Sequence, residues 1–234
     1  VPEGWNGQSR HHAVSRSVRD SAALRDISHG PEIGSRYVAP PPKGTYLEAT
    51  QRDPGKLKIA VWTKAPNGHE GDTDAKAGVA NTVKLLESLG HVVEEAGPQT
   101  DGEALSKSLM MTVSAATAML AAGRAQVLGR PLREDELETV TNRFVEFGTQ
   151  IPMVELMNAN YASIKAAIDF DHFMLGGGYD VVLTPTLARA PEKLGVLSLS
   201  PDNVDDYGAA VTTFAPWCAY FNQIGAPSMS MPLH

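Results

Sequence analysis

The stretch from Leu57 to Glu95 constrains the fold most, because it reads as strand, helix, strand. Leu57-Lys-Ile-Ala-Val-Trp62 is a short apolar run of strand length. A polar turn through Gly68 and Gly71 follows. Asp72 or Thr73 then caps a helix from about Asp74 to Leu89, with Val79, Val83, Leu86 and Leu89 on one face and Gly90 suited to its C-terminal end. His91-Val-Val-Glu-Glu95 is the second strand. A helical crossover returns the chain to the same edge of the sheet, so the two strands are expected to be parallel with a right-handed connection. Parallel strands need cover on both faces, which commits the chain to the α/β class. The unit carries no glycine-rich phosphate loop, and this excludes a nucleotide site of the familiar types.

A second strand signal lies far along the chain, at Tyr179-Asp-Val-Val-Leu183. Glycines precede it, Pro185 follows, and the apolar run predicts a strand buried on both faces. Pro185 has no N–H to give a sheet ladder, so the strand must stop at Thr184. The carboxyl end of a strand in an open α/β sheet is where ligands bind. Thr184 and Thr186 present hydroxyls there.

The rest of the chain reads mainly as helix. A helix begins in Ser15-Arg-Ser-Val-Arg-Asp-Ser-Ala-Ala-Leu24, with Ser15 or Ser17 as N-cap. Gly30 to Gly55 holds five prolines and reads as a stiff connector. A helix from Asp101 to near Gly129 is expected to bury Leu105, Leu109, Val113, Ala116 and Leu120. A shorter one from Glu134 to Phe147 is expected to bury Leu137, Val140 and Phe144. Pro152 then opens a long helix whose stripe Val154, Met157, Tyr161, Ile164, Ile168 and Leu175 is expected to face the core. Gly176-Gly-Gly178 stops it. Loop-like sequence runs from Gly195 to Asp206, an aromatic-rich stretch from Phe214 to Pro227, and a closing strand is expected over Ser228 to Leu233.

Several functions are excluded by composition. The net charge of -7 opposes nucleic-acid binding, which needs clustered Lys and Arg. The most membrane-like run, Met110 to Ala122, is rich in Ala, Ser and Thr and too short to span a bilayer. A single cysteine, Cys218, allows no internal disulfide and fits a reducing compartment, so the cytoplasm is the expected location. The start at Val1 and the abrupt apolar end at Met229 to His234 suggest a piece of a longer polypeptide.

A self-contained catalytic set is missing from the sequence. No Gly-x-Ser-x-Gly elbow and no Ser-x-x-Lys pair occurs. Cys218 has no histidine nearby in sequence, and its neighbours Trp217 and Tyr220 favour an inert core thiol. His11 and His12 are adjacent and so point in different directions, a poor metal pair. Asp171-His172 reads as a surface pair and Asp205-Asp206 as solvated. Asn222 is polar among apolar neighbours and needs partners if buried.

Three stretches resemble the amidase signature family, serine amidohydrolases that use a Ser–cis-Ser–Lys triad. They are Ser15 to Leu24, the segment Leu85-Leu-Glu-Ser-Leu-Gly-His-Val-Val-Glu-Glu95, and the pair Tyr179-Asp-Val-Val-Leu-Thr-Pro-Thr-Leu187 and Phe221-Asn-Gln-Ile-Gly-Ala-Pro-Ser-Met-Ser-Met-Pro-Leu233. Trp5-Asn-Gly before His11-His12, together with Ala39-Pro-Pro-Pro and the final Pro-Leu-His, is similar to the branch that contains 6-aminohexanoate cyclic-dimer hydrolase.

The resemblance implies a mixed β-sheet covered by helices on both faces. It implies one incomplete amidase domain over 1–234: a helix and proline-rich connector over 1–55, the β-α-β unit over 56–95, a helical part over 96–177, and C-terminal strands with a cleft wall over 178–234. Nothing here matches the family's catalytic signature, so no catalytic residue is assigned and the Ser and Lys are expected upstream. In the family, an unprotonated Lys acting through the cis-Ser takes the nucleophile's proton, and the Ser attacks the amide carbonyl. Backbone N–H groups hold the oxyanion, and water releases the acyl group, with no metal or organic cofactor. The expected substrate wall is Thr184, Thr186, Trp217, Cys218 and Asn222, facing a small-molecule amide. A homodimer of the full-length protein stays open, as does the alternative of a non-catalytic α/β binding module or degenerate paralogue.

Overall fold

The structure is a computed structural model that describes residues 4–9, 12–35, 38–200 and 204–233. His11 and the terminal His234 lie outside the described residues. The chain divides into two compact units, Arg10–Gly55 and a larger one made of Val1–Ser9 with Lys56–His234.

The smaller unit holds α1 (Val18–Ser28) and α2 (Tyr46–Ala49). Ser17 caps α1 by accepting the Asp20 N–H at 3.1 Å. α2 is a single turn inside what the prolines suggest is a plain connector. It forms because Thr45 and Glu48 make a reciprocal capping box. The Asp26 carboxylate also accepts the N–H groups of Tyr46 and Leu47, at 2.6 and 3.0 Å. The Tyr46 ring lies edge-on to His29, 5.4 Å between centroids, which joins the two helices from the side.

In the larger unit, β1 (Lys58–Val61), α3 (Thr73–Ser88) and β2 (Val92–Glu95) form the β-α-β unit, and the strands are parallel. Asp72 rather than Thr73 caps α3, accepting the Ala75 N–H at 2.9 Å. β3 (Val181–Leu183) pairs in parallel with the other side of β1, so the sheet runs β2-β1-β3. Ile59 opposes Val93 and Val181, and Val61 opposes Glu95 and Leu183. β1 is buried, as a central strand should be. The expectation for β3 is not met: Val181 is exposed and its neighbours only half-buried. Its second edge has no strand partner among the described residues.

A polar clamp fixes the register at the opening end of the sheet. Asp180 accepts the Lys58 N–H at 2.8 Å and returns its own N–H to the Lys58 carbonyl at 2.8 Å. Lys58 Nζ bonds the Gly177 carbonyl at 3.0 Å and pairs with Glu94 at 3.1 Å, while the Tyr179 hydroxyl donates to Glu94 at 3.0 Å.

Helices complete the unit: α4 (Gly102–Leu128), a 3-10 turn at Glu134–Glu136, α5 (Thr139–Gln150), α6 (Met153–Gly177), α7 (Val204–Phe214) and α8 (Pro216–Ile224). α4 packs on α5, α6 and α8. Of the residues expected to be buried along α4, Leu105 is; Leu120 is exposed, and the inward face is instead Ser108, Met111, Thr112, Ser114 and Ala118. The reason is close approach. Ser108 meets Ser163 of α6 at 3.0 Å, Thr112 donates to Asn160 at 3.2 Å, and a Cβ on Gly148 of α5 would collide with the Ser114 carbonyl. Where the backbones come that near, as at Gly148 and Ser114, a larger side chain cannot fit. By length and hydropathy α4 is also apolar enough to cross a membrane, which the sequence alone placed below that threshold. In this fold it lies within a helix layer.

α6 departs from expectation in the same way. Its packed face is Ala159, Ser163 and Ala166, and the stripe from Val154 to Leu175 points to solvent. In α5, Val140 is buried as expected and Phe144 is half-buried; Leu137, expected in the same helix, lies just after the 3-10 turn and is half-buried. Gly178 ends α6 at φ +63°, a left-handed value that favours glycine. No strand forms over Ser228 to Leu233. Pro227 and Pro232 each lack a ladder donor, and the segment finds no strand to pair with.

The main core lies where the end of β1 meets α4, α6 and α8. It is built from Trp62, Ala65, Leu105, Ala166, Ala188, Trp217 and Tyr220, with Phe170 and Phe221 against it. The rings meet edge to face: Trp62 and Tyr220 are 5.0 Å apart at 78°, and Phe170 and Phe221 6.0 Å apart at 87°.

Candidate functional site

The carboxyl end of β3 is held from three directions. The Leu183 carbonyl accepts the Trp62 N–H at 2.9 Å, and Pro185 next to it is buried. The Ala188 carbonyl accepts the Asp72 N–H at 2.7 Å, and the Ala188 N–H bonds the Phe214 carbonyl at 2.9 Å. Arg189 then grips the start of the following loop. Its guanidinium reaches Glu192 at 2.6 Å, Thr213 at 3.2 Å and the Ala210 carbonyl at 3.4 Å, and it lies over the Phe214 ring. The loop after the strand is therefore pinned to α7 and to the turn before α3.

On this platform Thr186, Cys218 and Ser230 come together. The Thr186 hydroxyl bonds the Ser230 hydroxyl at 2.8 Å, and the Cys218 thiol donates to the Thr186 carbonyl at 3.4 Å. Ser230 was not singled out in the sequence. It sits in the alternating Ser228-Met-Ser-Met231 run, and such alternation is the only signal that points to it. Thr184 is half-buried beside the group, one residue past the strand. Asn222 is half-buried on α8, and among the described residues its side-chain amide takes no hydrogen bond.

Two of the expected wall residues behave differently from their sequence reading. Trp217 is 1% exposed and lies in the aromatic core, so it faces no cleft. Cys218 is exposed instead of being a core thiol. Adjacent positions on a helix point about 100° apart, so only one of the pair can enter the core, and the larger ring does. Partial desolvation of the sulfur still pushes the Cys218 thiol up from its ordinary pKa. A neutral thiol is a weak nucleophile.

Two buried polar atoms of α8 have no hydrogen-bond partner among the described residues, Trp217 Nε1 and the Tyr220 hydroxyl. Burial, with the Asp169 charge as a lesser cause, raises the Tyr220 pKa and keeps that hydroxyl neutral. Two open concavities lie elsewhere. One, of about 650 Å³, is lined by Gln99, Thr100, Lys165 and His172 among others, and the second lies between α4 and α5. Among the described residues no three His, Cys, Asp or Glu side chains gather as metal ligands. Asp171 and His172 are exposed on α6, and Asp205 and Asp206 lie in the first turn of α7. Hydroxyls, an amide and a peptide carbonyl can hold a polar ligand by hydrogen bonds. They supply no activated nucleophile.

The family model described as amidase matches residues 6–234. The 6-aminohexanoate-cyclic-dimer hydrolase of Pseudomonas sp. (strain NK87) is 27% identical over 241 residues, covering 97% of this chain and 47% of the relative. The lipoamidase of Enterococcus faecalis is 27% identical over 251 residues, covering 97% of this chain and 32% of the relative. A solved structure of 6-aminohexanoate cyclic dimer hydrolase superposes with a TM-score of 0.79 at 26% identity, over 90% of this chain and 45% of the other. A bacterial aryl acylamidase of the amidase signature family shares the fold at a TM-score of 0.69 and 16% identity. The chain spans about half the length of the cyclic-dimer hydrolases it matches.

Proposed function

The chain belongs to the amidase family, and from that premise we propose that it forms the substrate-facing wall of an enzyme cleaving a linear or cyclic carboxamide. The 234 residues are one incomplete amidase domain. The nucleophilic Ser and its Lys base come from sequence outside them, and the Ser passes through an acyl-enzyme that water resolves. The observation that carries the reading is the cluster of Thr186, Ser230 and Cys218 at the carboxyl end of β3, with the unengaged amide of Asn222 on the neighbouring helix. A substrate amide needs both a donor and an acceptor, and Thr184, Thr186 and Asn222 offer both. Cys218 narrows the wall, and Trp217 supports it from behind.

The cyclic-dimer hydrolases and the lipoamidase, by their names, act on amides. We extend that chemistry to a small-molecule amide here. We place the protein in the cytoplasm on its single cysteine. Alone, the 234-residue chain turns over no amide.

The test compares the product of the complete reading frame with the 234-residue chain on a panel of linear and cyclic amides. The complete product is expected to hydrolyse at least one, and the chain none. Thr186→Val and Asn222→Ala should raise KM more than they lower kcat, by about tenfold for each lost hydrogen bond. Turnover by the isolated chain, or unchanged KM in both variants, contradicts the assignment.

A further inference from the structure

α6 is apolar on two opposite sides. Ala159, Ser163, Ala166 and Phe170 point into the unit, where α4 and α8 receive them. Val154, Met157, Tyr161, Ile164, Ile168 and Leu175 fall within an arc of about 80° on nearly the opposite side, taking 3.6 residues per turn. None of the six is covered: their exposures run from 48% at Ile168 to 81% at Leu175. A surface helix shows one apolar stripe and one polar face, whereas a helix apolar on both sides belongs inside a protein. The open stripe amounts to an apolar area on the order of 700 Å², close to the roughly 800 Å² that each partner gives a stable interface.

We propose that α6 is an internal helix, and that its outer stripe docks on the portion of the amidase fold that the relatives carry beyond the matched region. The occupant follows from the comparisons. This chain's fold superposes on the cyclic-dimer hydrolase structure with a TM-score of 0.79 while filling 45% of it, so in that molecule a comparable length of chain stands beside the matched part. The stripe leads along α6 to β3, whose second edge is unpaired among the described residues. An open helix face and an open strand edge in consecutive elements are what removing an adjoining layer leaves behind. A second copy of the chain covers the stripe only by displacing that layer. The inference takes the identity of the occupant from the amidase reading, but not the openness of the face.

The test is thiol labelling of Ile164→Cys in the product of the complete reading frame, with each rate divided by that of the same protein in denaturant and the native Cys218 signal subtracted. Met111→Cys, in the packed face of α4, reports that the protein is folded. Ile164→Cys is expected to label at least tenfold more slowly than in denaturant. Full reactivity at Ile164→Cys with protection at Met111→Cys overturns the proposal. So does protection of Ile164→Cys that fades on dilution, because a second copy is then the cover. A reading frame that adds no amidase sequence removes the occupant and overturns it too. The readout is independent of turnover: an inert protein with a protected stripe contradicts the amide-cleaving assignment and leaves this one standing.

Discussion

Cys218 gives its thiol hydrogen to the carbonyl of Thr186, 3.4 Å away, and so ties the first turn of α8 to the end of β3. This bond joins residues 32 positions apart and holds the wall of the candidate cleft in place. Cys218→Ala should cost about 0.5 kcal/mol, since a thiol is a weak donor, measurable by denaturant unfolding. Burial raises the thiol pKa, so the thiolate fraction at neutral pH is below that of a free cysteine. The rate of alkylation of the native protein should therefore rise at a higher pH than that of an unfolded peptide. Coincident profiles would show that the sulfur is not desolvated.

Trp217 belongs to the core and Asn222 to the proposed binding wall, and the two should differ in stability. Trp217→Ala empties the most buried ring of the core and should destabilise by about 3–5 kcal/mol. Asn222→Ala removes an amide with no partner among the described residues and should change stability by less than about 0.5 kcal/mol. The reverse ranking in thermal melts would place Asn222 in the scaffold and not on the wall.

Gly148 sets the distance between α4 and α5. A methyl group there collides with the Ser114 carbonyl, and a main-chain atom cannot swing aside as a side chain can. Gly148→Ala should destabilise by about 1–3 kcal/mol despite alanine's better helix propensity. Gly123 of α4 has open space beside it, and Gly123→Ala should be neutral or stabilising. Urea midpoints of the two variants give the comparison.

Glu136 accepts both terminal nitrogens of Arg130 and the Arg133 N–H, and the largest of these effects, the Arg130 bond, helps lower its pKa to about 2. A carboxyl lowered on folding stabilises the native state above its unfolded value of 4.5, and this contribution fades as pH falls from there towards 2. The turn between α4 and α5 should thus loosen in that window. Glu136→Gln should remove that part of the pH dependence, as followed by exchange of the Arg133 amide hydrogen. An unchanged acid profile in the variant would show that another group is responsible.

The β-α-β unit, the helix stops and the caps were legible in the sequence. Ser17, Asp72 and Asp101 each accept an N–H three residues on, as their type and place dictate. Pro185 marks where β3 must end. Such signals act within about four residues, so neighbours in the chain settle them. The candidate site was legible in part. Thr184 and Thr186 follow β3, where the strand-end rule places ligands, while Ser230, 44 residues from Thr186, meets it only through folding.

The tertiary structure alone decided which side of each long helix turns inward. α4 and α6 both carry apolar residues on more than one side, and periodicity cannot choose between competing stripes. The choice went to Ser108, Ser114, Ser163 and Gly148, because small side chains allow close helix backbones, and the Ser108 and Ser163 hydroxyls meet across the gap. It likewise sent Trp217 inward and Cys218 outward. Local sequence determined where the elements begin and end. Packing between elements, which depends on residues far apart in the chain, determined what each one faces.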